Sequence, residues 1–213
     1  MSATPQTLLT GFGAFGRVIQ NPTERVVRAI AGQEIAGQEI TGYVFPVSYT
    51  DVPDRLHALL EIGGRNGKPF DTLLMTGVAL GSNHWRIEEF GRNGVGEQKD
   101  AQGVLYSSSE ILPHAPDLFM TTLPNDSLVS ALQAKEFPTR LSISAGDYLC
   151  NFALYHALLA IQAMNPRPRV GFLHVPADEQ TFDTNVMSAP VFSFEQHLEA
   201  VRILLKTLPY SLP

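Results

Sequence analysis

From one end of the chain to the other, apolar runs of strand length alternate with amphipathic stretches of helix length, and that order leaves few folds open. A strand, helix, strand succession lays consecutive strands side by side in parallel, with helices covering both faces of the sheet. The sequence predicts strands at Thr7 to Gly11, Thr41 to Val47, Thr72 to Thr76, Arg140 to Ser144 and Val170 to Val175. Helices are predicted at Pro22 to Ala31, Asp51 to Ile62, Asp126 to Lys135, Asp147 to Met164 and Phe194 to Leu208. The first of these carries two start signals: Asn21 is a good cap, and Pro22 suits the first helical position, where an amide hydrogen would have no partner anyway. The expected architecture is α/β, three layers α/β/α around a central, mostly parallel, twisted mixed sheet. No linker divides the chain, and NPRPR at Asn165 to Arg169 reads as a helix stop before the next strand, so residues 1–213 are expected to form one domain.

The stretch from Ser82 to Asp117 breaks the alternation. It is polar, contains Gly91, Gly94, Gly96 and Gly103, and holds a short alternating segment around Trp85, Ile87 and Phe90, which predicts a strand or hairpin with long loops. Long irregular insertions in compact α/β folds often carry the site. The pentapeptide AGQEI occurs twice in succession, at Ala31 to Ile35 and Ala36 to Ile40. Five residues are too few for a repeat unit, so it reads as a local duplication in a helix-to-strand connection.

Charge and composition narrow the function classes. With 44% hydrophobic and 17% charged residues the chain can bury a full core, which argues against disorder. A formal charge of -6 without any Lys/Arg cluster argues against nucleic acid or an anionic membrane as the principal partner. No secretory signal is visible, and no apolar run approaches the roughly 20 residues of a membrane span. A single cysteine cannot form an internal disulfide, so a reducing cytoplasm is the expected location.

GFGAFG, from Gly11 to Gly16, matches the dinucleotide-binding pattern GxGxxG and follows a good strand, so a nucleotide site must be weighed. That motif opens a helix at once, bringing N-terminal amides onto a pyrophosphate, whereas here RVIQNP intervenes before Pro22. The acidic residue that should close the second strand is also missing, since that strand ends FPVSYT. Phe12 and Phe15 would crowd a diphosphate but could wall a small apolar pocket. Packing of both rings in the core is an equally good reading.

Cys150 opens a predicted helix in SAGDYLCNFALYHALLA, and His174 ends an apolar run in VGFLHVP. A lone cysteine is more often a small buried hydrophobe than a catalyst, yet with a histidine elsewhere it is a candidate nucleophile and base. A cysteine at a helix N-terminus feels the positive end of the helix dipole, and a neighbouring imidazolium would lower its pKa further. Those two effects predict a useful thiolate fraction near neutral pH.

Together, these segments resemble the pyroglutamyl peptidase I family of cysteine peptidases, also called pyrrolidone carboxyl peptidases. TGFGAFGRVIQNPTERVV is similar to the family's N-terminal pattern TGFxPFG followed by NP, AGDYLCN to its nucleophile segment AGxYxCN, and GFLHVP to its histidine segment. GVALGSNHWRIEEFGRN is similar to its acidic segment, with Glu88 on the catalytic glutamate and Asn93 on the asparagine that follows. The segments occur in the same order with similar spacing over nearly the whole chain. The resemblance implies a phosphorylase/hydrolase-like fold and a single catalytic domain that removes N-terminal pyroglutamate (5-oxoproline) from peptides. Cys150 would be nucleophile, His174 general base and acid, and Glu88 the residue that orients the imidazole, with a thioester intermediate and no metal or other cofactor. Phe12 and Phe15 match positions that enclose the lactam ring and Asn21 matches a pocket residue, although Asn21 reads equally well as a helix cap. The family's usual homo-oligomers imply a dimer or tetramer.

The chain also departs from the family. Gly13 and Ala14 stand where an acid and a proline are frequent, and Val78, Ser82 and Gln98 stand where many bacterial members have glutamine, arginine and arginine. A catalytically altered relative, or a nucleotide-binding α/β protein using the GFGAFG loop, is therefore the competing expectation. Among the remaining polar residues, His84 and Glu88 are spaced i,i+4 but lack a further ligand cluster, which argues against metal. His156 is expected in a core or interface, and His57, His114 and His197 at the surface. Asp147 is expected at the N-terminus of the Cys150 helix.

Overall fold

In the computed structural model, which describes residues 4–64, 67–182 and 192–208, every predicted strand and helix is present within a few residues of its expected limits. Strand β1 (Gln6–Phe12) pairs in parallel with β3 (Gln38–Phe45) on one side and with β4 (Thr72–Val78) on the other. Strand β4 pairs in parallel with β9 (Arg169–Val175). Beyond β9 lie β5 (Trp85–Glu88), antiparallel to it, and then β8 (Thr139–Ser142), parallel to β5. With β2 (Glu34–Ile35) against β3, the order is β2-β3-β1-β4-β9-β5-β8, a mixed and mostly parallel sheet.

Strand alternation divides the core. Leu8 and Phe12 of β1, Leu73 and Met75 of β4, and Val170 and Phe172 of β9 share one cluster with α2 (Asp51–Ile62) and α4 (Leu149–Ala160). Leu9, Leu74, Leu173 and Val175 face the opposite cluster, built with α1 (Pro22–Ile30), α3 (Asn125–Gln133) and α5 (Phe194–Thr207). Successive side chains along a strand point to opposite faces, so this alternation is what makes the fold three-layered. It also fixes the face of the polar residues. Trp85 and Ile87 lie in the second cluster, so Arg86 and Glu88 point toward α4. His174 lies between Leu173 and Val175 and therefore points toward α4 as well.

The irregular middle region supplies more than one strand. Besides β5 in the main sheet, β6 (Phe90–Arg92) and β7 (Leu118–Met120) form a separate antiparallel pair beside α4. The duplicated pentapeptide is a hairpin: Ile35 ends its first strand and Gln38 begins the second, joined through Ala36 (φ 51°) and Gly37 (φ 79°). Two consecutive positive φ values give the tight turn whose twist matches that of paired strands. The Cys150 helix is shorter than expected, running from Leu149 to Ala160 with a 3-10 turn at Ile161–Ala163. Asp147 thus lies outside it, exposed, one residue before the Tyr148 cap.

The expected surface position of His197 fails. His197 is fully buried, its ring 5.5 Å from Trp85, because α5 turns this face onto the sheet. Burial pushes its pKa down to about 4. His57 and His114 are exposed as expected, and His156 is partly buried against Phe152.

Candidate active site

Cys150 is the second residue of α4, whose cap Tyr148 makes no side-chain bond to the exposed helix amides. The first N–H groups of a helix have no acceptor within it, so donors accumulate around the sulfur. The thiol is held over the sheet by Gly77. A methyl group built on Gly77 would lie 2.6 Å from Cys150 Sγ and 2.9 Å from the Phe172 ring, closer than carbon tolerates. Gly77 is the register partner of His174 across the parallel β4–β9 pair. The absent side chain therefore lets the sulfur settle onto the sheet beside the strand position that bears the imidazole.

His174 and Glu88 meet across the antiparallel β5–β9 pair. Arg86 lies opposite His174 and Glu88 opposite Phe172, so Glu88 and His174 are diagonal neighbours on one face. His174 Nδ1 is 2.7 Å from Glu88 Oε1. A carboxylate can only accept, so Nδ1 carries the hydrogen and Nε2 is left as the basic nitrogen. Both side chains are buried, Glu88 completely and His174 to within 4%. Arg86 Nε approaches the same carboxylate oxygen at 3.4 Å. The backbone N–H of the next residue, Glu89, donates to the Ser142 carbonyl.

Electrostatics runs against one sequence expectation. Burial pushes the Cys150 thiol up to about 12, and the Glu88 charge adds to the rise, while Arg86 opposes both. Burial also lowers the His174 pKa, against the opposing hydrogen bond and charge of Glu88. Both shifts favour the neutral forms, a thiol beside an uncharged imidazole. Loss of water around the sulfur works against the helix dipole, because burial disfavours the charged thiolate.

Two concavities share the sulfur. A narrow slot is lined by Phe12, Phe15, Val47, Val78 and Leu149, with Asn21 and Tyr148 at its borders and Cys150 at one side. A second, more open cleft is lined by Leu80, Arg86, Gln98, Ala145 and His174. Cys150, Phe15, Val78 and Tyr148 border both. The two phenylalanines differ: Phe12 is 2% exposed and packs on Phe45, whereas Phe15 is half-buried against Tyr148.

Asn21 borders the slot, yet its polar atoms are engaged. Its Oδ1 accepts from the Thr23 amide and hydroxyl, and its Nδ2 donates to the Gly13 carbonyl, so it caps α1 and ties down the aromatic loop. That loop is a small turn, closed by mutual Phe15 and Val18 backbone bonds of 3.1 and 2.8 Å, and it does not enter a helix. The requirement of a dinucleotide site for helix amides at this turn is unmet. Among the described residues no cluster of metal-ligating side chains occurs, and His84 pairs with Asn83.

Four contributors were not singled out from the sequence. Tyr148 borders both concavities and donates its hydroxyl to the Lys99 carbonyl, holding the segment that carries Gln98. Gly77, Val47 and Arg86 are the others. Gly77 follows a strand-like run and Tyr148 lies two residues before the cysteine, but nothing local marks their role. Val78 and Gln98, two positions that depart from the family pattern, both line the site.

The chain is similar to known proteins over nearly its whole length. The family model for pyroglutamyl peptidase matches residues 5–209. The chain is 31% identical to the pyrrolidone-carboxylate peptidase of Pyrococcus furiosus, over 94% of this chain and 96% of that protein. It is 30% identical to the enzyme of the same name from Oceanobacillus iheyensis, over 94% and 98%. The solved structure of pyrrolidone carboxyl peptidase from Thermococcus litoralis superposes with a TM-score of 0.87 at 26% identity, covering 96% of this chain and 93% of that one.

Proposed function

The chain belongs to the pyroglutamyl peptidase family and is a peptidase that removes N-terminal pyroglutamate, and we propose that it does so through Cys150, His174 and Glu88 by way of a thioester. The observation that carries this assignment is the buried 2.7 Å bond between His174 Nδ1 and Glu88, which leaves Nε2 free on the face where Cys150 sits over Gly77.

The lactam ring enters the slot between Phe12 and Phe15, where its flat apolar face matches the lining, and the exocyclic carbonyl carbon that joins the ring to the peptide comes to the sulfur. Because the thiol rests protonated, attack and proton transfer are coupled: the sulfur bonds to the carbonyl carbon as its proton passes to His174 Nε2. Glu88 stabilises the imidazolium that forms. The carbonyl oxygen takes up negative charge, for which the unpaired amides at the start of α4 are suited donors. The tetrahedral intermediate collapses as His174 returns the proton to the leaving nitrogen, the C–N bond breaks, and the shortened peptide departs. Water, deprotonated by the same imidazole, then cleaves the thioester to give free pyroglutamate and the thiol. A pyroglutamyl end carries no ammonium, which suits a slot lined mostly by apolar side chains and, among the described residues, by no carboxylate. Peptides with N-terminal pyroglutamate are accordingly the substrates, and no step calls for a metal.

An unpaired thiol at the reacting position fits work in the reducing cytoplasm. Among the described residues no helix is long and apolar enough to cross a membrane. The resemblance to the family supports a homo-oligomer, dimer or tetramer, of single catalytic domains spanning 1–213. The experiment that tests the reading is hydrolysis of a pyroglutamyl fluorogenic amide before and after alkylation of Cys150. Turnover that stops with one label per chain supports it, and turnover that survives full labelling contradicts it.

A further inference from the structure

Given the pyroglutamyl peptidase reading, on which this inference rests, we propose that Arg86 makes the enzyme select substrates bearing a carboxylate just beyond the scissile bond. The two concavities that share the sulfur are not equivalent. The slot takes the lactam ring, while His174, which must hand its proton to the leaving nitrogen, lines only the open cleft. The leaving peptide therefore occupies the cleft. Among the described residues its lining is Leu80, Gln98, Ala145 and other uncharged groups, with Arg86 the one permanent charge.

Arg86 is placed to use that charge. Its Nε is buried and faces Glu88, yet 30% of the side chain is exposed, so the exposure lies on other atoms of a residue that lines the cleft. Glu88 is fully buried behind it and already bonded to His174. Among the described residues Arg86 has no other ion pair. A guanidinium presents five N–H donors on more than one edge, so engagement of Nε leaves a fork for a planar carboxylate. Two sources supply one there: the side chain of an acidic residue after pyroglutamate, or the C-terminal carboxylate of a pyroglutamyl dipeptide.

The test compares kcat/KM within two matched pairs, pyroglutamyl-Glu-amide against pyroglutamyl-Gln-amide, and pyroglutamyl-Ala against its amide. The wild type is expected to favour the carboxylate in at least one pair by about fivefold, the scale of a partly exposed charge pair. The first pair identifies the acidic side chain as the source, the second the chain terminus. Arg86→Gln should bring the ratio to about one, Arg86→Lys should retain part of it, and added salt should narrow it in the wild type. Ratios within one protein cancel any general loss of activity from the contact with Glu88. No carboxylate preference in the wild type, a preference that salt leaves unchanged, or one that survives Arg86→Gln overturns the assignment. A wild type that cleaves none of the four peptides contradicts the pyroglutamyl peptidase reading itself and takes this inference with it.

Discussion

Gly77 and His174 are register partners on adjacent parallel strands, and Cys150 Sγ occupies the space where a Gly77 side chain would stand. A backbone position with no visible chemistry thus decides how close the sulfur comes to the imidazole strand. Gly77→Ala is expected to rotate the thiol away and cut turnover by about 100-fold, the usual cost of a misplacement near 1 Å. Because the obstructed atoms are a thiol and a ring edge, the stability loss should stay at about 1–3 kcal/mol. Kinetics and thermal unfolding on one preparation check both; near-normal turnover would mean that the sulfur works from another position.

Glu88 and Glu89 are adjacent acids with opposite expectations. Glu88→Gln keeps an acceptor for Nδ1 but removes the charge that stabilises the imidazolium, and should lower kcat by about 10²- to 10⁴-fold. The sign of the pH effect follows from the directions of the shifts. Glu88 raises the His174 pKa, which burial has lowered, so its loss moves the acidic limb of kcat/KM to still lower pH. Glu89→Gln should leave both rate and limb nearly unchanged, and a reversed outcome would transfer the orienting role to Glu89.

The neutral resting thiol has its own signature. Alkylation of Cys150 in the free protein should still be accelerating at pH about 10, above the ordinary thiol range, because the thiolate forms only near the raised pKa. Removing the Glu88 charge should shift that curve to lower pH. A plateau already reached by neutral pH would point instead to a preformed thiolate and imidazolium.

The two slot phenylalanines should separate cleanly. Phe15→Ala removes a half-buried wall and should raise KM for pyroglutamyl amides, by roughly 1–3 kcal/mol of lost contact, with little effect on folding. Phe12→Ala opens a cavity in the core beside Phe45 and should cost about 3–5 kcal/mol of stability in addition. Equal stability losses with unchanged KM would make both rings mere core packing.

The alternation of strands and helices was legible from hydrophobic period alone, because parallel strands buried on both faces must be continuous apolar runs. Cys150 and His174 were legible too, each ending or opening such an element. The link between them, through Glu88, was legible only by resemblance to the family. It depends on the β5–β9 register, which sets Glu88 diagonal to His174, and on the close approach at Gly77, and neither leaves a local pattern. His197 was misread because its polar neighbours in sequence are not its neighbours in space, where it meets Trp85. The low pKa expected of Cys150 is opposed for a similar reason: the helix end is visible in the sequence, while the burial that pushes the thiol up is a property of the packed site.

The central claim is that the Cys150 sulfur forms the bond to the pyroglutamyl carbonyl. The most direct measurement is hydrolysis of a pyroglutamyl fluorogenic amide by the wild type and by Cys150→Ala, alongside circular dichroism to confirm that both fold. The account predicts turnover by the wild type and none above background for Cys150→Ala, with unchanged spectra, since alanine keeps α4 and removes the sulfur. Near-normal hydrolysis by a folded Cys150→Ala protein would contradict it.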